Sequence, residues 1–366
     1  VPKRVGHLYV RMLDKDLIRA AIKKGSKGKR KRWDVKKVLK NPDKYVEKIY
    51  QLILNDSYVP TKPKVKHIFD KSSNKERDIN IVPFYPDGVM HQLIVMAMHD
   101  VLMRGMYRWS CASIPDRGNE YARKYVRRAL DNDPKNTKHC AKMDIRHYYP
   151  SIDIRRLMKA LSRKIKDKKF LNLIERILKS NPEGGLSIGF YLNQWLANYF
   201  LETLDTYICT LPGVKYYVRN MDDMVLIGPN KKKLHQAVQK IEIFLRESLG
   251  VKLKGDWQVF PVDSRGINFV GYRFFHTHTR LRRKSFLRFT RSCRRVGKLL
   301  KQGRDPSFHA AAGLLSRAGN LKHCNCVQAR KKYFGRLNKK RIKDVVRRGT
   351  AEIQARLNAA ALPQIA

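Results

Sequence analysis

Two adjacent aspartates, Asp222 and Asp223, lie between the apolar runs Tyr216-Tyr217-Val218 and Val225-Leu226-Ile227. Few folds tolerate that arrangement. Flanking runs of this composition read as strands. On a strand, neighbouring side chains point to opposite faces, so two consecutive carboxylates reach one site only at a tight turn. The segment predicts a hairpin with strands over 215–219 and 224–228 and its tip at 220–223. If both acids are buried, desolvation and mutual repulsion raise the pKa of one. A divalent cation removes that penalty, because hard oxygen donors suit magnesium. An Asp-Asp pair in a plain surface turn is the alternative.

A third carboxylate stands in similar surroundings. In Ala141-Lys142-Met143-Asp144-Ile145-Arg146-His147-Tyr148-Tyr149-Pro150, Asp144 ends a predicted strand over 140–145 and enters a turn. One strand carrying an aspartate beside a hairpin carrying two can form a two-metal site. One ion would activate an attacking 3′-hydroxyl and the other would hold a triphosphate and its leaving group. Phosphoryl transfer needs little beyond such positioning and charge neutralisation.

The charge points to the same chemistry. Lys and Arg total 79 against 31 Asp and Glu, a formal net charge of +48 over 366 residues. That excess causes self-repulsion on folding, and a polyanionic partner, most simply nucleic acid, would neutralise it. Hydrophobic residues make up 43% of the chain, enough for a core, which excludes wholesale disorder. No stretch has the apolar length to span a membrane, and Val1–Val10 lacks a secretory core, so a cytoplasmic location without membrane attachment is expected. Six scattered cysteines show no disulfide framework. His323, Cys324 and Cys326 cluster, but no second pair at zinc-finger spacing accompanies them.

Along the chain, the basic run Lys23 to Arg32 reads as a loop that touches phosphates or as a solvated charge run. Helices are expected over 41–55, 90–103, 121–130, 157–178, 190–204 and 232–249. Short strands are expected over 67–70 and 77–82 around a turn at 71–76, and over 251–254, 258–262 and 268–275. Beyond 279 the composition turns to Arg and Lys with helical patterning. These shifts predict a basic N-terminal extension (1–60), a central region (61–278) and a basic helical C-terminal part (279–366) with a frayed tail after Leu362.

With these segments in view, the chain resembles reverse transcriptases. The Asp144 and Asp222-Asp223 segments resemble palm motifs A and C. Gly185 to Asn198 resembles motif B, Gly266 to Tyr272 resembles the primer-grip hairpin, and Arg77 to Gln92 resembles the upstream fingers segment. The resemblance covers roughly residues 60 to 295. Among bacterial enzymes the segments from Asp256 to Ser285 are most similar to those of diversity-generating retroelements, a group related to group II intron, retron and defence-associated enzymes. The resemblance implies an α/β (α+β) right-hand polymerase, with fingers and palm interleaved over 61–278 and a small helical thumb in 279–366. It implies RNA-directed DNA polymerase activity by two-metal catalysis with magnesium (manganese as a substitute).

The resemblance also assigns roles. Asp144, Asp222 and Asp223 match the catalytic carboxylates, and Ile145 would add its carbonyl to the metal. Tyr149 matches the steric gate against a ribose 2′-hydroxyl, with a core tyrosine as the plain alternative. Arg77 matches the fingers arginine on the triphosphate, where a bidentate fork suits phosphate. Gly189 and Gln194 would line the nucleotide pocket, or serve helix packing. Lys252 or Lys254 matches the lysine that assists pyrophosphate departure. Phe269, Gly271 and Tyr272 match the primer grip, and Arg280, Arg282, Arg283, Lys284 and Arg288 would hold duplex phosphates. The implied partners are an RNA template, an RNA–DNA hybrid or DNA product, dNTPs, a structured non-coding RNA and an accessory protein.

The sequence departs from the family pattern at Asn220, where tyrosine is common, at Ser187, where proline is frequent, and at Asn193-Gln194. Gln194 favours the diversity-generating group and Asn193 puts it in doubt. An antiphage-defence reverse transcriptase and a non-catalytic RNA-binding scaffold are the alternative readings. A group II intron enzyme is set aside because maturase and endonuclease regions are not seen. Without RNase H or endonuclease segments, template removal and integration are expected to fall to other proteins.

Overall fold

The computed structural model describes residues 3–70, 75–181 and 184–359. Its contacts resolve two compact units. One comprises Val1–Gly118, Ala141–Leu226 and Lys232–Gln258, and the other comprises Asn119–Cys140, Ile227–Lys231 and Val259–Ala366. Both draw on separate stretches of chain, so compactness divides the molecule differently from composition.

The first unit opens with helices whose starts are written in the sequence. Asp14 caps the helix Lys15–Ser26 by accepting from the amides of Asp16 and Leu17, and Ile18, Ala21 and Ile22 are buried at helical spacing. Asn41 caps Pro42–Leu54, with proline where its missing N–H costs nothing. Strands β1 (Lys64–Asp70) and β2 (Lys75–Ile81) form an antiparallel pair in which Ile68 faces Arg77. The expected turn over 71–76 lies mostly outside the described residues.

Several expected helices are shorter than their apolar periodicity. The run over 90–103 divides into Val89–Ala97 and His99–Met103 at Met98, whose φ of −104° and ψ of 12° leave the helical region. The run over 157–178 divides into Ile154–Ser162 and Lys168–Lys179. Asp153 and Asp167 each accept amide hydrogen bonds at a new N-terminus, so a second cap ends the periodicity. The run over 190–204 divides at Leu201 into Tyr191–Phe200 and Glu202–Thr210.

Strands β3 (His139–Asp144), β4 (Tyr216–Asn220) and β5 (Asp223–Gly228) lie side by side with β5 between the other two. The strand expected over 251–254 is reduced to a bridge between Ile145 and Leu253. β6 is Gln258–Pro261. The strand expected over 268–275 is divided: β7 (Ile267–Phe269) and β8 (Tyr272–Phe274) form a hairpin, as the resemblance of Gly266 to Tyr272 implies, and β9 (Thr279–Leu281) pairs with β8.

In the second unit the helix Arg283–Lys301 buries Phe289, Cys293 and Val296 against Ala311, Leu314, Phe334 and Ile342, and turns its arginines outward. The mixture of helices and small antiparallel sheets matches the α/β (α+β) class expected. Among the described residues no helix is long and apolar enough to cross a membrane.

Candidate active site

The hairpin of β4 and β5 turns through Met221 and Asp222 alone. Two-residue hairpins need a positive φ in the turn, and Met221 supplies it at 61° although it carries a side chain. This places Asp222 in the turn itself and Asp223 at the first position of β5. Because β3 runs beside β5, the end of β3 brings Asp144 to the same place.

The carboxylates of Asp144 and Asp222 come close enough to hydrogen bond, and Asp222 is pushed up to about 6, first by burial and then by the charge of Asp144. Lys254 opposes this shift, and its ammonium group contacts Asp144 directly. Asp223 forms an ion pair with Lys142 on β3 and is not among the residues that line the cavity beside the other two acids. The three acids thus form a close pair and a separate partner. Among the described residues, no group of three or more His, Cys, Asp or Glu side chains could hold a metal ion. The Asp144–Asp222 pair still fits a divalent cation: two hard oxygen donors, one mostly buried, repel each other and would gain from a cation between them.

A cavity of about 1150 Å³ opens beside the pair. Asp144, Ile145, Tyr149, Asp222 and Lys254 line it together with Arg77 and Asn80 of β2. Tyr149 is half-buried, its hydroxyl 3.9 Å from the sulfur of Met221, and burial and Asp222 raise its pKa. Lys254 reaches the acids, whereas the backbone carbonyl of Lys252 accepts from the amide of Arg146.

Gly189 and Gln194 are not among the residues lining this cavity. Gly189 has a φ of 119°, and a Cβ there would lie 2.2 Å from the carbonyl oxygen of Asn80. The neighbouring Ile188 accepts from the amide of Asn80 at 2.8 Å, so this glycine lets two backbones touch. Gly189→Ala should therefore destabilise the protein by roughly 2–4 kcal/mol through strain and a lost contact. A denaturation midpoint equal to wild type would refute that role. Gln194 offers its carbonyl to the Asn198 side chain at 3.3 Å.

A polar network lies beneath the hairpin. Arg219 is fully buried and grips Asp205 with two bonds of 2.7 and 2.8 Å. It also donates to the side chain of Asn198 at 2.8 Å, to the Asn198 carbonyl at 3.0 Å and to the Met221 carbonyl at 3.3 Å. The Tyr217 hydroxyl donates to Asp205 at 2.8 Å. Arg219 and Lys142 stand outside the site residues identified from the sequence. An arginine inside an otherwise apolar strand was the available signal, since buried charge demands a partner.

In the second unit, the turn between β7 and β8 is made by Val270 and Gly271, with φ of 41° and 92°. Both central residues have positive φ, as a tight I′ turn requires, although a β-branched residue rarely adopts it. Phe269 and Tyr272 of the expected primer grip are buried, and the turn residues Val270 and Gly271 are half-buried. Arg280, Arg282, Arg283 and Lys284 are exposed, and Arg288 is half-buried. The Cys324 thiol bonds to backbone carbonyls and burial pushes it up to about 12, so it behaves as packing.

No family model matches the chain. Protein YkfC of Escherichia coli (strain K12) is 23% identical over 271 residues, covering 62% of this chain and 70% of that protein. Group II intron-encoded protein LtrA of Lactococcus lactis subsp. cremoris is 24% identical over 219 residues, covering 56% of this chain and 34% of LtrA. The chain thus spans about a third of the length of LtrA. Among solved structures, apo telomerase from Candida tropicalis has a TM-score of 0.48 at 17% identity, covering 71% of this chain and 51% of that one. The paired carboxylates on a two-residue hairpin thus lie in a chain that is similar, over more than half of its own length, to YkfC and to the intron-encoded protein LtrA.

Proposed function

We propose that the chain copies an RNA template into DNA at the cavity beside Asp144 and Asp222. The carrying observation is the convergence of these two carboxylates, distant in sequence, with Asp222 raised to about 6. Asp144, Asp222 and the carbonyl of Ile145 would hold magnesium. Bound magnesium would supply a lowered pKa for the primer hydroxyl and neutralise charge on the phosphates. The chain's own residues do the rest. Arg77, in the lining of the cavity, would take the triphosphate of the incoming dNTP with its planar fork. Lys254 is better placed than Lys252 to donate a proton to the departing pyrophosphate. Asp223 acts through Lys142 and contributes less to metal binding than the other two acids.

Tyr149 would sit under the sugar and exclude a 2′-hydroxyl. Tyr149→Ala should raise ribonucleotide incorporation on the order of a hundredfold relative to dNTPs, a difference of about 3 kcal/mol. Unchanged sugar selection would remove it from this role.

Fingers and palm would fall within 61–278 and the thumb within 279–366, with the basic faces of both units taking template and hybrid phosphates. Gln194 is the residue that favours a diversity-generating retroelement as the setting, in company with a structured RNA and an accessory protein. The test is primer extension on matched RNA and DNA templates with magnesium. Failure to extend on RNA while extending on DNA would overturn the reading.

A further inference from the structure

We propose that the last turn of the helix Tyr191–Phe200 is the gauge that fixes the spacing of Asp144 and Asp222, acting through Tyr148 and Arg219 as positioning residues. The inference rests on the two-carboxylate reading above and concerns how that pair is held.

Each acid adjoins a turn with a residue in the left-handed region that is not glycine. His147, three residues after Asp144, has a φ of 45°, and Met221, immediately before Asp222, has a φ of 61°. Such a residue costs about 1–2 kcal/mol, so either turn would relax if nothing restrained it. Both restraints come from one place. The Tyr148 hydroxyl donates to the carbonyl of Ala197 at 2.5 Å. The Arg219 guanidinium donates to the carbonyl of Asn198 at 3.0 Å and to that of Met221 at 3.3 Å.

The helix ends at Phe200. Its last four carbonyls, from Ala197 onward, lack partners within the helix, and its end carries partial negative charge. Tyr148 and Arg219 occupy the first two of these carbonyls. One rigid helix end is thereby tied to the turn after Asp144 and to the turn that bears Asp222. A buried ion pair is a costly way to gain stability alone. Its geometry here has a use that apolar packing cannot reproduce, because it aims donors at Asn198 and Met221 together. Asp205, which takes the other edge of the guanidinium, holds that aim.

The experiment compares full-length wild type, Tyr148→Phe, Arg219→Lys and Asp222→Asn. Thermal melting reports folding, and manganese binding is titrated by paramagnetic resonance without nucleotide or nucleic acid. Tyr148→Phe removes one hydroxyl and is expected to melt within a few degrees of wild type while binding manganese about tenfold more weakly. Arg219→Lys retains the charge but cannot reach all three acceptors, and should weaken binding further. If it unfolds, Tyr148→Phe decides. Folded Tyr148→Phe protein with wild-type manganese affinity, in a titration where Asp222→Asn abolishes binding, overturns the gauge alone. Wild type that binds no manganese overturns both the gauge and the carboxylate site.

Discussion

Asp222→Asn is expected to slow primer extension on the order of a thousandfold or more, as loss of a charge-stabilising group at a phosphoryl-transfer site does. Asp223→Asn is expected to cost about tenfold or less, because Asp223 is engaged by Lys142 and does not line the cavity. Single-turnover extension with saturating magnesium distinguishes the two, and equal losses would show that both acids serve the metal alike. The same substitution has a second consequence. The folded protein raises the Asp222 pKa to about 6 from an ordinary 3.8. Native protein thus holds a proton that unfolded protein has released, and Asp222 destabilises the metal-free fold progressively as pH rises from about 4 through 6. Below that window the handicap is absent. Asp222→Asn should accordingly stabilise metal-free protein at pH 7 and leave it nearly unchanged at pH 4. Denaturant titrations at both pH values would reveal a wrong sign at once.

Arg219→Met is expected to destabilise the protein by about 3–5 kcal/mol, the usual result of stranding one partner of a buried ion pair. Its partner Asp205 is 1% exposed and would retain only Tyr217 and solvent-free surroundings. Burial already raises the Asp205 pKa despite Arg219, so in the variant Asp205 would take up a proton to stay inside. Asp205→Leu combined with Arg219→Met should recover much of the loss, because matched apolar groups replace both charges. Equilibrium urea unfolding of the two single variants and the double variant measures the coupling. Additive losses would mean that the pair does not act as a unit.

Parts of the site were legible because their physics is local. An Asp-Asp pair between apolar strands requires a turn, and the hairpin forms with its tip one residue shorter at each end than expected. The turn of Asp144, its proximity to Asp222 and the placement of Tyr149 and Arg77 on the cavity follow the motif order. Asp223 was not legible in the same way. Its direction depends on Lys142 in a neighbouring strand, and no pattern within either segment records which strand lies alongside. Gly189 was read as a pocket residue because its motif suggests one, whereas its φ and the approach of Asn80 give it a backbone task. Helix lengths were overestimated wherever apolar periodicity continued through a new cap, as at Asp167. The Arg219 network needed three dimensions, since Asp205 and Asn198 come from two successive helices and Ser110 from a distant segment.

The lysines facing Asp144 and Asp223 bear on how a cation would enter the site. With these ammonium groups beside them, two of the acids are partly compensated by the chain itself. A divalent ion arriving there would have to compete with a tethered amine for Asp144. Occupancy would then be a contest whose outcome shifts with magnesium concentration.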